Sequence, residues 1–206
     1  MRTEVLLEIL AEAQSLGFLG PGDPASHISH ALGFADAAVA EGQAPTRFAD
    51  LGTGGGVPGL VLAEHWPEAE VAFIESSVRR SRALTAWVET LDFGDRVRVL
   101  EGRAEDWARD PEYRESFDLV TARSFARPAI TAEIGCGLVR VGGRLVVSDP
   151  PIAADRWPVA ALADLGFAPA VAVEARGAHY ACLGKVTGAA DGVPRRAGRP
   201  AKRPLW

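Results

Sequence analysis

Cysteine is scarce in this chain: Cys136 and Cys182 are the only two in 206 residues. That rules out a disulfide framework and a cysteine-rich zinc site, and makes a reducing cytoplasm the expected compartment. Long apolar runs are also missing, so no membrane-spanning helix is expected. The start, Met1-Arg2-Thr3-Glu4 with Glu8 and Glu12 close behind, lacks the layout of a signal peptide. There is no internal repeat. His27 and His30 stand three apart, but no third metal ligand is in view, so no metal is expected and packing or capping is the better reading. Lysine is nearly absent, with Lys185 and Lys202 set against twenty arginines. Genomic base composition alone produces such a bias, so it carries no inference about nucleic acid.

What is present is an ordinary globular balance, 48% hydrophobic and 24% charged, at a length that suits one domain with an extension. The charge is uneven. Residues 193–206 hold five cations (Arg195, Arg196, Arg199, Lys202, Arg203) and no acid, so a net charge of −5 leaves −10 on the rest. Charge alone leaves two readings of this end: a polyanion held at one place, or a solvated terminus.

Apolar spacing over 3–16 predicts an amphipathic helix with Thr3 as its cap, and Asp23-Pro24 opens a second running to about Glu41. From Arg47 onward strands and helices alternate. Strands are expected at 47–51, 70–75, 96–101, 117–122, 143–148, 169–175 and 179–186, with helices over 58–65, 77–91, 104–109, 128–139 and 155–165. This pattern means βαβ units and a mostly parallel, seven-stranded sheet. The last two strands are joined by Arg176-Gly177-Ala178, a hairpin-length link that makes one of them antiparallel. The expected division is a helical extension (1–46), a Rossmann-like α/β domain (47–190) and a basic tail (191–206).

The strongest local signal is Asp50-Leu51-Gly52-Thr53-Gly54-Gly55-Gly56-Val57-Pro58-Gly59, between a strand and a helix. Glycines there allow a tight turn and let a ligand touch the main chain at the carboxyl edge of a parallel sheet. Two frames fit. Gly54-x-Gly56-x-x-Gly59 is the dinucleotide pattern, but it starts two residues late relative to the strand end. Asp50-x-Gly52-x-Gly54-x-Gly56 is the pattern of class I S-adenosylmethionine methyltransferases. In either frame Glu75, closing the second strand, is placed to accept ribose hydroxyls.

Several ordered segments then resemble one family, the glucose-inhibited division protein B or RsmG family of small-subunit ribosomal RNA guanine-N7 methyltransferases. DLGTGGGVPGLVLA (50–63) is similar to its first motif, and FIESSVRRSRAL (73–84) to its second-strand acid and basic helix start. GRAED (102–106), TARSFARP (121–128), GGRLVV (142–147), the helix with His27, Ala31 and Leu32, and the tail VPRRAGRPAKRPL (193–205) follow in order. The resemblance implies a Rossmann-like fold, S-adenosyl-L-methionine as cofactor, and 16S ribosomal RNA or the small ribosomal subunit as partner, in a cytoplasmic monomer with no membrane role. It carries cofactor binding onto Gly52, Val57, Ala104, Glu105 and Arg123; Asp50, Gly54, Gly56 and Glu75 join on fold grounds. It places Arg123 at the catalytic mouth, and Arg103, Arg195 and Arg196 toward substrate. Two segments depart from the family: GFLGPGDPAS (17–26) replaces an Asn-Leu-Thr-like stretch, and Ser148-Asp149 replaces a lysine.

Guanine N7 attacks a methyl sulfonium through a free lone pair, so no general base is required. The sequence lacks an Asp/Asn-Pro-Pro-aromatic signature after the fourth strand; Asp149-Pro150-Pro151 follows the fifth and reads as a turn. Cys136 and Cys182 fall within elements and read as core rather than as nucleophiles. Phe125 fits either purine stacking or core, and Arg79, Arg80 and Arg82 either phosphate contact or a solvated face. Two other readings stay open: a methyltransferase of the same ancestry acting on a small molecule, which Asp149 and the acidic body favour, and a non-catalytic cofactor-binding module.

Overall fold

A computed structural model describes residues 2–38, 44–151 and 156–206. Two helices come first, α1 (Thr3–Ser15) and α2 (Pro24–Ala38). The cap of α1 is Arg2, with no side-chain capping bond, so Thr3 is the first helical residue rather than the cap. Asp23 does cap α2, accepting from the N–H of Ala25 at 3.1 Å. The expected extension of α2 to Glu41 falls partly outside the described residues.

The remaining elements alternate as β1 (Arg47–Leu51), α3 (Gly59–His65), β2 (Glu70–Glu75), α4 (Val78–Thr90), β3 (Val97–Glu101), α5 (Ala104–Trp107), β4 (Phe117–Ala122), α6 (Pro128–Leu138), β5 (Val139–Asp149), α7 (Val159–Asp164), β6 (Val171–Ala175), β7 (Ala178–Gly184) and α8 (Arg199–Lys202). The seven strands form one sheet in the order β3-β2-β1-β4-β5-β7-β6. β1 pairs in parallel with both β2 and β4, so the strand order reverses between β1 and β4. In open α/β sheets a ligand crevice forms at that reversal. β7 runs antiparallel to both β5 and β6.

Side chains alternate across the sheet, as a pleat requires. Phe48 and Phe73 point into one apolar layer with Leu6, Leu10 and Phe34 of the N-terminal helices and Leu84 and Trp87 of α4. Ala49, Leu51 and Val120 point into the other, with Ala132 and Leu138 of α6 and Leu162 of α7. Phe34, Phe48 and Phe73 are fully buried, and each such burial is worth about 1.5–3 kcal/mol. The N-terminal helices therefore complete one face of the sheet. No described helix is long and apolar enough to cross a membrane.

Candidate cofactor and methyl-transfer site

The chain leaves β1 through three left-handed glycines, Gly52 (φ 66°), Gly54 (φ 57°) and Gly56 (φ 87°). An L side chain rarely adopts that conformation, so the loop needs glycine. Two buried carboxylates fix it. Asp50, with no exposed surface, accepts at one oxygen from Thr121 Oγ1 (2.7 Å) and at the other from the N–H of Gly59 (3.1 Å). Burial pushes its carboxyl up to about 7; the bonds from Thr121, Thr53 and Gly59 and the charge of Arg123 oppose that rise. Glu75, 4% exposed, accepts from the N–H of Gly54 (3.1 Å) and of Ser77 (2.8 Å). The acid closing β2 thus grips the loop leaving β1 and keeps lone pairs for two further donors.

Arg123 follows β4 on the same edge. Its Nη2 donates to His27 Nδ1 at 3.1 Å, while Nη1 is buried with no partner among the described residues. His27 Nε2 lies 3.3 Å from the Gly20 carbonyl. An imidazole that accepts at Nδ1 and donates at Nε2 is neutral. Burial and the Arg123 charge both lower its pKa. His27, expected only to pack or cap, therefore holds the arginine that the resemblance places at the catalytic mouth.

Beyond β3, Ala104 and Glu105 are buried at the start of α5. The Glu105 carboxylate accepts from Arg103 Nη2 (2.9 Å) and from the N–H of Gly198 (3.0 Å). Burial would raise its pKa, but these donors outweigh burial and the net shift is downward. Val57 is buried in the loop, and its peptide bond to Pro58 is cis. Segment 17–22 crosses the loop from outside: a Cβ on Gly55 would stand 2.9 Å from the Phe18 carbonyl and from Leu19 Cβ. Arg79 and Arg80 lie over the Phe18 ring at 4.9 and 5.8 Å, which gives them a partner within the chain. Phe125 leans on the loop, since a Cβ on Gly52 would meet its ring at 2.7 Å. Ser124 before it takes φ 50°, a turn that aims the ring there.

Asp50, Gly52, Gly54, Gly56, Val57, Glu75, Ala104, Glu105 and Arg123 thus gather at the carboxyl edges of β1 to β4. Arg103 stands beside them, half exposed. Arg195 and Arg196 part company: Arg195 turns inward onto Glu133, and Arg196 is exposed. Burial pushes the Cys136 thiol up to about 12 and the Cys182 thiol up to about 11, so neither is a thiolate nucleophile near neutrality. Asp149, the acid in place of the expected lysine, is 3% exposed at its side chain and accepts from Arg156 Nε (2.8 Å) and Trp157 Nε1 (2.9 Å). It faces its own chain. Thr121 and Glu133 carry no signal of their own in the sequence, and His27 reads there only as packing or capping; the role of each becomes visible only through a partner more than 60 residues away.

Comparison with known proteins supplies the family. Residues 23–150 match the GidB family, described as rRNA small subunit methyltransferase G. The chain is 37% identical over 186 residues to the ribosomal RNA small subunit methyltransferase G of Roseiflexus castenholzii, covering 85% of this chain and 78% of the relative. It is 34% identical over 167 residues to the protein of the same name from Desulfitobacterium hafniense, covering 77% and 70%. In fold alone it is similar to the cofactor-bound Rv0187 from MTB (TM-score 0.62, 18% identity, 89% of this chain and 91% of that one). It is likewise similar to an O-methyltransferase family protein from Burkholderia thailandensis (TM-score 0.60, 16% identity, 80% and 58%). The donor set suits S-adenosylmethionine: an acceptor-only carboxylate for ribose hydroxyls at Glu75, a loop whose backbone can be approached, and an unpartnered buried donor on Arg123. With the family match over most of its length, the chain belongs to the GidB family of small-subunit rRNA methyltransferases and is an S-adenosylmethionine-dependent methyltransferase.

Proposed function

We propose that the enzyme methylates N7 of a guanine in 16S ribosomal RNA by direct in-line transfer, with Asp50, Gly52, Gly54, Gly56, Val57, Glu75, Ala104, Glu105 and Arg123 holding the cofactor. S-adenosylmethionine supplies an electrophilic methyl group when bound. The protein's part is to orient, exclude water and tolerate charge. Glu75 and the loop N–H groups would fix the ribose end, and Ala104 and Glu105 would flank the adenine. Arg123, steadied by His27, would present its free Nη1 at the mouth of the crevice, next to the acceptor base.

Guanine N7 gives up no proton on methylation, so the chemistry asks for position rather than basicity. The local side chains fit that demand. Both oxygens of Asp50 and of Glu75 already accept hydrogen bonds, and the Nδ1 lone pair of His27 is taken by Arg123. The observation that carries the reading is the family match over residues 23–150, which spans this whole edge. A small-molecule substrate has less to favour it once Asp149 is seen to be buried and paired within the chain. Labelled methyl groups from S-adenosylmethionine should reach 16S rRNA, naked or in 30S subunits, prepared from cells lacking the gene. Tight cofactor binding with no transfer to either RNA form would refute the assignment.

A further inference from the structure

The tail is fastened from behind, and that fastening sorts its cations. Glu133 on α6, 1% exposed, takes three hydrogen bonds from Arg195: backbone N–H (3.0 Å), Nε (2.7 Å) and Nη2 (2.6 Å). Glu105, also 1% exposed, takes the N–H of Gly198. Arg109 Nη1 donates to the Pro194 carbonyl (2.8 Å), and Arg114 Nη1 to that of Val193 (2.7 Å). A Cβ on Gly137 would stand 2.4 Å from the Pro194 ring, so that ring lies directly on α6. The Arg195 charge is neutralised by Glu133. Arg196 and Arg199 point outward with no side-chain partner among the described residues. Arg109 gives one N–H to a carbonyl and has no ion pair among the described residues. Arg109, Arg196 and Arg199, together with Arg195 and Gly192, line an open groove of about 420 Å³, whose lining holds no carboxylate.

On a body that carries −10 outside its last 14 residues, three arginines with no ion pair among the described residues, all lining one groove, mark a place for an anion. The backbone beneath them is held by four hydrogen bonds to the rest of the chain, so little ordering is left for a ligand to impose. We propose that the groove of Arg109, Arg196 and Arg199 holds the phosphodiester backbone of an RNA strand beyond the nucleotide being methylated, and that Arg195 is its anchor rather than a contact. This rests on the RNA reading above. It adds Arg109 and Arg199 to the RNA-facing set and removes Arg195. Guanidiniums grip phosphate oxygens irrespective of sequence, so the groove positions the RNA while the crevice selects the base. Glu105 joins the two regions, since it belongs to the expected adenine segment and also accepts from Gly198.

The test is the salt dependence of 16S rRNA binding, read by filter binding between 50 and 300 mM salt. Each phosphate contact to single-stranded RNA contributes about −0.7 to the slope of log affinity against log salt. The Arg196→Ala/Arg199→Ala protein should show a slope flatter by about 1 to 1.4 and binding at least about tenfold weaker near 0.1 M salt. Its affinity for S-adenosylmethionine by calorimetry should stay that of the wild type, which also reports that it is folded. Arg196→Lys/Arg199→Lys should recover the slope, because phosphate reads charge. A steep wild-type slope that the alanine pair leaves unchanged overturns the groove. A flat wild-type slope overturns the RNA reading itself, and the groove with it.

Discussion

Arg123 donates to the imidazole of His27 and feels the charge of the buried Asp50 carboxyl, which couples the protonation of these groups. His27 can accept from the guanidinium only while neutral. Removing that acceptor frees Arg123 from one side, so His27→Ala should lower kcat/KM by roughly tenfold or more, and His27→Asn, whose amide oxygen can accept, should recover part of it. An unaltered kcat/KM in the alanine protein would show that the contact does not position Arg123. The same cluster makes stability pH-dependent in opposed directions. Burial, with the Arg123 and His27 charges, lowers His30 from 6.5 to about 4, so the native state takes up its proton later than the unfolded chain, and stability is lost as pH falls from 6.5 toward 4. Burial raises Asp50 from 3.8 to about 7, so its contribution is present at low pH and is lost as pH rises through that range. Replacing His30 by Gln removes one of the contributions that grow with pH, so the loss at Asp50 weighs more. Thermal scans of that variant should show Tm falling more steeply from pH 4 to 7 than in the wild type; parallel curves would contradict the pairing. Asp50, the glycines and Glu75 could be read in the sequence because their spacing is local. The Arg123–His27 contact spans 96 residues, and no periodicity announces it.

Among the elements, the tail departs furthest from expectation. Charge alone left it either solvated or bound to a polyanion, and part of it proves to be structural. The cations look alike in sequence, and what separates Arg195 from Arg196 is Glu133, an acid buried in an otherwise apolar α6. Arg195→Ala would strand that carboxylate without its charge partner. A cost of about 2–4 kcal/mol is expected, together with faster hydrogen exchange over 189–206; unchanged exchange would mean that the tail is held by other contacts. The N-terminal helices were legible from their apolar spacing, but not their seat. Gly33 of α2 faces Tyr180 of β7 so closely that a Cβ would lie 2.1 Å from the phenol oxygen, which itself donates to the His30 carbonyl (2.7 Å). Gly33→Ala should therefore destabilise by about 1–3 kcal/mol through overpacking, measurable in urea; a neutral result would mean that α2 shifts freely on the sheet. Strand ends were read within a few residues, except for β5. It starts at Val139 directly after α6, where Gly142 and Gly143 disguise it as a loop.

For the molecule as a whole, alternating strand and helix signals sufficed for the seven-stranded sheet, because a parallel sheet needs buried strands at crossover spacing. The reversal between β1 and β4 then brings four chain segments to one edge, and the groove of the tail reaches the same region through Glu105. A cofactor bound there stabilises the native state by mass action, about 2.7 kcal/mol at a hundredfold excess over Kd. S-adenosylmethionine should raise Tm accordingly, and in Glu75→Ala that rise should shrink to near zero. The methylated product decides between guanine N7 and every other acceptor. Nucleoside mass mapping of 16S rRNA from a gene-deletion strain, before and after incubation with the protein and S-adenosylmethionine, should reveal one new 7-methylguanosine. A methyl group on a ribose, on an exocyclic amine or on no RNA nucleoside would contradict guanine N7 as the acceptor.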